Sequence, residues 1–134
     1  MNPITIEISP GELIDRITIL QIRVRNVTDP HKQPRIRREL ESLLSVRQHA
    51  IAARADLQNL FGELATVNEE LWRIEDDLRL CERRSDFGAS FVDLARSVYR
   101  LNDRRSRLKQ SLNEMLGVEN AEEKIYSHAA PDQP

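Results

Sequence analysis

The feature that most constrains the fold is a pair of heptad rows in the middle of the chain. The rows consist of Leu57, Leu64, Leu71 and Leu78, and of Leu60, Val67, Ile74 and Cys81. Apolar residues with this spacing form a narrow stripe along an α-helix that packs against other helices. Residues 35–84 contain no proline and a single glycine. The pattern therefore predicts a long helical region over 34–84.

An alanine-rich stretch interrupts the stripe near residues 50–56. Two interpretations fit this composition. One is a close crossing of a continuous helix against a neighbour, and the other is a joint between two helices. The sequence leaves both open.

Helix signals also define the flanking segments. Residues 9–12, Ser-Pro-Gly-Glu, form a capping box with proline at the first helical position, so a helix is predicted over 9–27. A turn near residue 86 precedes another apolar stripe, which predicts a helix over 88–116 followed by Gly117 as its left-handed terminator.

The two ends of the chain carry weaker signals. Residues 1–8 alternate apolar and polar side chains, which predicts a short extended arm. Residues 118–134 form a tail, in which Ile125 and Tyr126 are expected to fold back on the helices while residues 129–134 stay mobile.

Together these elements predict a single all-α domain over 1–134. It is expected to be an antiparallel bundle of three to four long helices, with coiled-coil-like packing and a short extended N-terminal arm. Aromatic residues make up only 4% of the chain, and Ile19 and Ile22 form a second apolar edge on the first helix. Because such helices bury little apolar area per residue, we expect a homo-oligomer, most simply a dimer.

Composition excludes several classes of function. The 20 basic and 22 acidic residues nearly cancel, which argues against a nucleic-acid partner. No apolar run approaches the roughly 20 residues that cross a bilayer, and the N-terminus lacks signal-peptide features, so no membrane insertion and a cytoplasmic location are predicted. The single cysteine and three widely spaced histidines predict no disulfide, metal site or cofactor.

One polar constellation stands out along the two long helices. Pairing them about the turn near residue 86 brings Trp72 near Tyr99 and Glu75 near Arg96. Acidic residues cluster on the first helix and basic residues on the second. The candidate ligand-binding residues are Asn68, Trp72, Arg79, Arg96, Tyr99, Asn102, Asp103 and Arg105, and the candidate catalytic residues are Glu75 and Asp76.

Two hypotheses explain this constellation. In the first, the charged pairs, Glu75 with Arg96 among them, are sheltered inter-helix ion pairs that fix the register of the helices. In the second, the aromatic rings stack on a ligand, the arginines bind an anionic group, and a carboxylate orients or deprotonates a substrate hydroxyl. Arg105 falls on the apolar row itself, so it must find a carboxylate or leave through an open end of the bundle.

Several segments carry a resemblance to a known family. These segments are residues 9–20, 68–79, 91–99, 102–103 and 122–124. They resemble a family of small bacterial proteins of unknown function. The resemblance implies no activity. It implies that the gene lies near glycosyltransferase and surface-polysaccharide genes in the genome.

Two function hypotheses follow. The first is a helical interaction and oligomerisation module that binds a second copy or another protein, linked to pathways of cell-envelope polysaccharides. The alternative is a small enzyme or binding protein for an anionic metabolite, a sugar phosphate or nucleotide-sugar.

Overall fold

The computed structural model describes residues 1–118, and four helices account for most of them. They are α1 (Pro10–Asn26), α2 (Gln33–Ala50), α3 (Ala55–Arg83) and α4 (Ala89–Met115). No β-strand occurs within this range. The predicted all-α helical bundle is confirmed, with four helices.

The first helix begins at the capping box. The Oγ of Ser9 accepts a hydrogen bond from the backbone N–H of Glu12 at 3.1 Å, and Pro10 occupies the first turn, where its missing N–H costs nothing. Residues 1–9 precede the helix without regular structure. In this arm Ile4 and Ile6 are 84% and 67% exposed.

The alanine-rich stretch is a joint between two helices. Ile51 and Arg54 both adopt extended backbone angles, so helical geometry stops after α2 and resumes at α3. The Arg54 guanidinium pairs with Asp56 in the first turn of α3 and also donates to the carbonyl of Met115 at 3.1 Å. These bonds connect the start of α3 with the end of α4.

Three helices supply the buried residues of one apolar core, and the fourth packs against it through Leu40, Leu43 and Leu44. The core is built from α1, α3 and α4, and its members are Leu13, Ile14, Ile17, Leu57, Leu64, Val67, Leu71, Leu108 and Leu112. Helix α2 packs on α1, where Ile22 and Ile36 are each only 3% exposed. Part of the apolar edge that the sequence suggested for self-association is therefore buried within the chain.

Burial stops part-way along α3 and α4. Leu71 is the last buried residue of α3 and Leu108 is the first of α4, and none of residues 72–107 is buried. At 1.5 Å per residue α1 is about 25 Å long and α3 about 43 Å, so α1 is too short to cover all of α3. We call residues 72–107, which include the turn between α3 and α4, the outer segment.

The predictions for Ile125, Tyr126 and residues 129–134 lie outside the described residues.

Candidate functional site

The most buried charged group of the described chain is the carboxylate of Asp15 in α1. Its side chain is 1% exposed. The Arg105 guanidinium of α4 donates to it through two nitrogens, with Nε 2.8 Å from Oδ1 and Nη2 on Oδ2. This fork pairs both carboxylate oxygens at once, which is the strongest geometry available to an arginine and a carboxylate.

The third helix contributes an amide to the same carboxylate. Asn68 Nδ2 of α3 donates to Asp15 Oδ1 at 2.9 Å and to the Oγ1 of Thr18 at 2.7 Å. The Thr18 hydroxyl in turn donates to the backbone carbonyl of Asp15 at 2.8 Å. One carboxylate therefore connects the three helices of the core, and we call the four residues Asp15, Thr18, Asn68 and Arg105 the Asp15 network.

Further charges surround this network. Lys109 Nζ lies 2.6 Å from Glu12 Oε2 and 3.8 Å from Asp15 Oδ2, and Glu12 also pairs with Arg16 at 2.9 Å. Three cations thus face two carboxylates. Because each of these charges has an opposite partner within the chain, the network serves to position the helices.

A close backbone approach adjoins the network. The N–H of Gly11 donates to the Oδ1 of the fully buried Asn113 at 2.7 Å. A Cβ on Gly11 would collide with the carbonyl oxygen of Lys109. Glycine is therefore required here for α1 and α4 to pack at this distance.

The α3 half of the predicted constellation is mostly in solvent. Trp72 is half-buried, whereas Glu75 and Asp76 are more than half exposed and pair with Arg79 one turn away. Only Asn68 from this half of the constellation is buried, in the Asp15 network.

The α4 half is divided between two faces. Arg105 points at α1, and half-buried Asn102 accepts a weak hydrogen bond from it at 3.5 Å. Tyr99 is 52% exposed and lies about 120° around the helix from Arg105, since each residue turns the helix by about 100°. A hydrogen bond from Arg96 lowers the pKa of the Tyr99 phenol below its ordinary value, and Arg100 adds to this effect. Asp103 is half-buried.

The expectation of a sheltered ion pair between Glu75 and Arg96 is wrong. Glu75 is 53% exposed, Arg96 is exposed, and within residues 1–118 the ion pairing of Glu75 is with Arg79 at 4.0 Å. The physical reason is that α1 ends before it can shield this part of the helix pair from water.

The sequence pattern identified Arg105 and Asn68 as candidates but did not identify the Asp15 carboxylate that both of them bind. Asp15 sits among buried apolar residues of α1, next to Ile14 and two residues before Ile17. A carboxylate inside an apolar stripe is the same signal that singled out Arg105, and matching the two would have found the pair. In the described chain no group of three or more His, Cys, Asp or Glu side chains could hold a metal ion.

A groove opens between α3 and α4. It has a volume of about 600 Å³, and its walls include Gly62, Thr66 and Glu70 of α3 and Leu101 and Arg104 of α4. None of the predicted site residues lines it.

Comparison with known families decides where the chain belongs. A family model described as a family of unknown function, DUF6165, matches residues 4–130. The chain belongs to this family. The match begins within the N-terminal arm and spans all four helices. The chain shows no significant similarity to a curated protein or to a solved structure.

The family assignment bears out the resemblance to proteins of unknown function and adds no activity. Bacterial origin and a cytoplasmic location stay predictions. Among the described residues, no helix is long and apolar enough to span a membrane.

Proposed function

We propose that the protein is a helical oligomerisation module whose outer segment is completed by a second copy of the chain. The observation that carries this proposal is the abrupt end of burial after Leu71 and before Leu108. Apolar residues continue at core spacing beyond both points, among them Ile74, Leu78 and Leu94, yet all of them stay half-buried.

Packing is what stabilises helices of this kind. In proteins most of the stability of a helix comes from burial of its apolar face and not from helical propensity. The outer segment offers such a face and the chain covers only part of it, while Phe87 and Val92 are about half exposed. Covering that face with a second protein supplies the missing burial.

The experiment is sedimentation equilibrium of the full chain over a range of micromolar concentrations. The expected mass is twice the 15.5 kDa of one chain, with dissociation on dilution. A single species of 15.5 kDa at every concentration would refute self-association. The link to cell-envelope polysaccharide pathways stays a prediction from the resemblance.

Binding of an anionic metabolite is the second candidate, and a specific observation favours it on α4. Two guanidinium groups, those of Arg96 and Arg100, flank the exposed Tyr99 phenol, and neither forms an ion pair within residues 1–118. Two unneutralised guanidinium groups side by side are suited to bind a phosphate group.

Ultraviolet titration of the Tyr99 phenol, in a chain whose second tyrosine is removed by Tyr126→Phe, tests this second candidate. A bound sugar phosphate would engage Arg96 and add negative charge beside the phenol, so the pKa of Tyr99 should rise toward its ordinary value. The variant Arg96→Ala should show the raised pKa without ligand and no further response to it. A Tyr99 pKa that is unchanged by sugar phosphates and nucleotide-sugars would argue against the site.

A further inference from the structure

We propose that the groove between α3 and α4 is the surface through which two copies of the chain dock, with α3 of each copy lying over α4 of its partner. This inference rests on the proposed self-association and adds to it the surface and the orientation. On α4 the groove reaches the outer segment at Leu101 and Arg104, and on α3 it lies along residues 58–70, before that segment begins.

The groove lies on the face of the α3–α4 pair that α1 leaves open. Asn68 and Arg105 both point at α1, where they bind Asp15. Thr66 lines the groove from a position two residues before Asn68, about 160° around α3, and Arg104 does so about 100° around α4 from Arg105. One face of the pair is therefore covered by α1, and the groove is in the other.

Glu63 and Glu70 of α3 and Arg104 of α4 line this groove. Helical spacing extends them to an acidic row on α3 that includes Asp77 and a basic row on α4 that includes Arg100 and Arg107. The spacings of seven residues on α3, and of four and three on α4, keep each row on one side of its helix. Across residues 1–118 none of the six takes part in an ion pair.

These rows select one symmetry for a dimer. A two-fold axis along the helices places α3 of each copy over α4 of its partner, so the acidic row of one copy meets the basic row of the other. A two-fold axis across the helices places α3 over α3 and α4 over α4, which opposes like charges. Complementary charges favour the first arrangement and disfavour the second.

Gly62 supports the same surface independently. It lies inside α3, is exposed in the groove, and a Cβ added there would meet nothing within 4 Å. Glycine weakens a helix interior, and no contact within the described chain requires it. A helix from a second copy can approach the α3 backbone closely at this point, which gives the glycine a role.

Charge reversal tests the orientation. We would prepare Glu70→Arg and Arg104→Glu separately and measure their self-association by sedimentation. In each variant a like-charge pair faces the partner twice, so the dimer dissociation constant should rise about 10-fold or more. In an equimolar mixture the two variants face each other with opposite charges at both positions, and wild-type affinity should return.

Two controls separate the surface from the fold. Glu41→Arg reverses an exposed carboxylate on α2, away from the groove, and should leave the dissociation constant unchanged. Gly62→Gln places a polar side chain in space that is open in the single copy. It should weaken the dimer without lowering the melting temperature of the diluted chain, because glutamine favours a helix interior more than glycine does. Dimerisation as tight as wild type would overturn the close approach.

The outcomes distinguish this inference from the proposed function. A wild-type dimer whose two charge-reversed variants fail to recover affinity on mixing would overturn the groove as the interface, while self-association would stand. Single variants that dimerise as tightly as wild type would overturn it as well. A wild-type chain that stays monomeric would overturn both.

Discussion

Removal of the Arg105 side chain tests whether the Asp15 network stabilises the bundle. Arg105→Ala deletes the fork that pairs both carboxylate oxygens of Asp15, whose side chain is 1% exposed. What remains for that carboxylate is the Asn68 amide at 2.9 Å and the Lys109 ammonium at 3.8 Å. A buried carboxylate without its principal partner is a costly state.

The size of the loss can be worked from these contacts. Removing one partner of a buried ion pair typically costs about 3–5 kcal/mol. Arg105 is 29% exposed and Lys109 supplies some compensation, so we expect about 2–4 kcal/mol here. Against a total stability of about 5–15 kcal/mol, this loss corresponds to a fall in the melting temperature on the order of 10 °C.

The assay is urea unfolding followed by far-ultraviolet circular dichroism at one fixed protein concentration. The matched control is Arg79→Ala, which removes an arginine that is also ion-paired but is 66% exposed, and it should cost less than about 1 kcal/mol. Joint replacement, Asp15→Leu with Arg105→Met, should recover most of the loss because no unpaired charge remains. An Arg105→Ala variant as stable as the Arg79→Ala control would refute the reasoning.

The remaining prediction compares two glycines in the same kind of urea titration. Gly11→Ala should destabilise the protein by about 1–3 kcal/mol, because its Cβ would collide with the carbonyl oxygen of Lys109 and force the backbones of α1 and α4 apart. Gly62→Ala should instead stabilise the diluted chain by up to about 1 kcal/mol, because its Cβ meets only open space in a helix interior. Equal effects from the two substitutions would contradict this account.

Local signals were sufficient to predict where most helices begin and end. The capping box at Ser9 places the start of α1 because it depends on neighbouring residues alone. The joint after Ala50 could not be decided from the sequence, because the Arg54 side chain that follows it bonds to the carbonyl of Met115, a residue distant in the chain. Long-range bonds of this kind leave no periodic signal.

The candidate site was predicted less well than the fold. Helical periodicity placed Asn68 and Arg105 beside the apolar seam, and these two residues do meet at one carboxylate. Pairing α3 with α4 by their spacing leaves out α1, which contributes Asp15 and shields the helix pair over only part of its length. Which residues are sheltered depends on the length and position of a third helix.

The Asp15 network also decides which face of the α3–α4 pair stays open. An apolar residue at position 15 could pack on either face of two amphipathic helices, whereas the Asp15 carboxylate is satisfied only where Asn68 and Arg105 reach it together. Helix α1 is thereby committed to one face, and the groove containing Gly62 and Arg104 is left on the other. A buried ion pair that adds little net stability can in this way determine where a second copy binds, because it fixes the surface that the first copy presents.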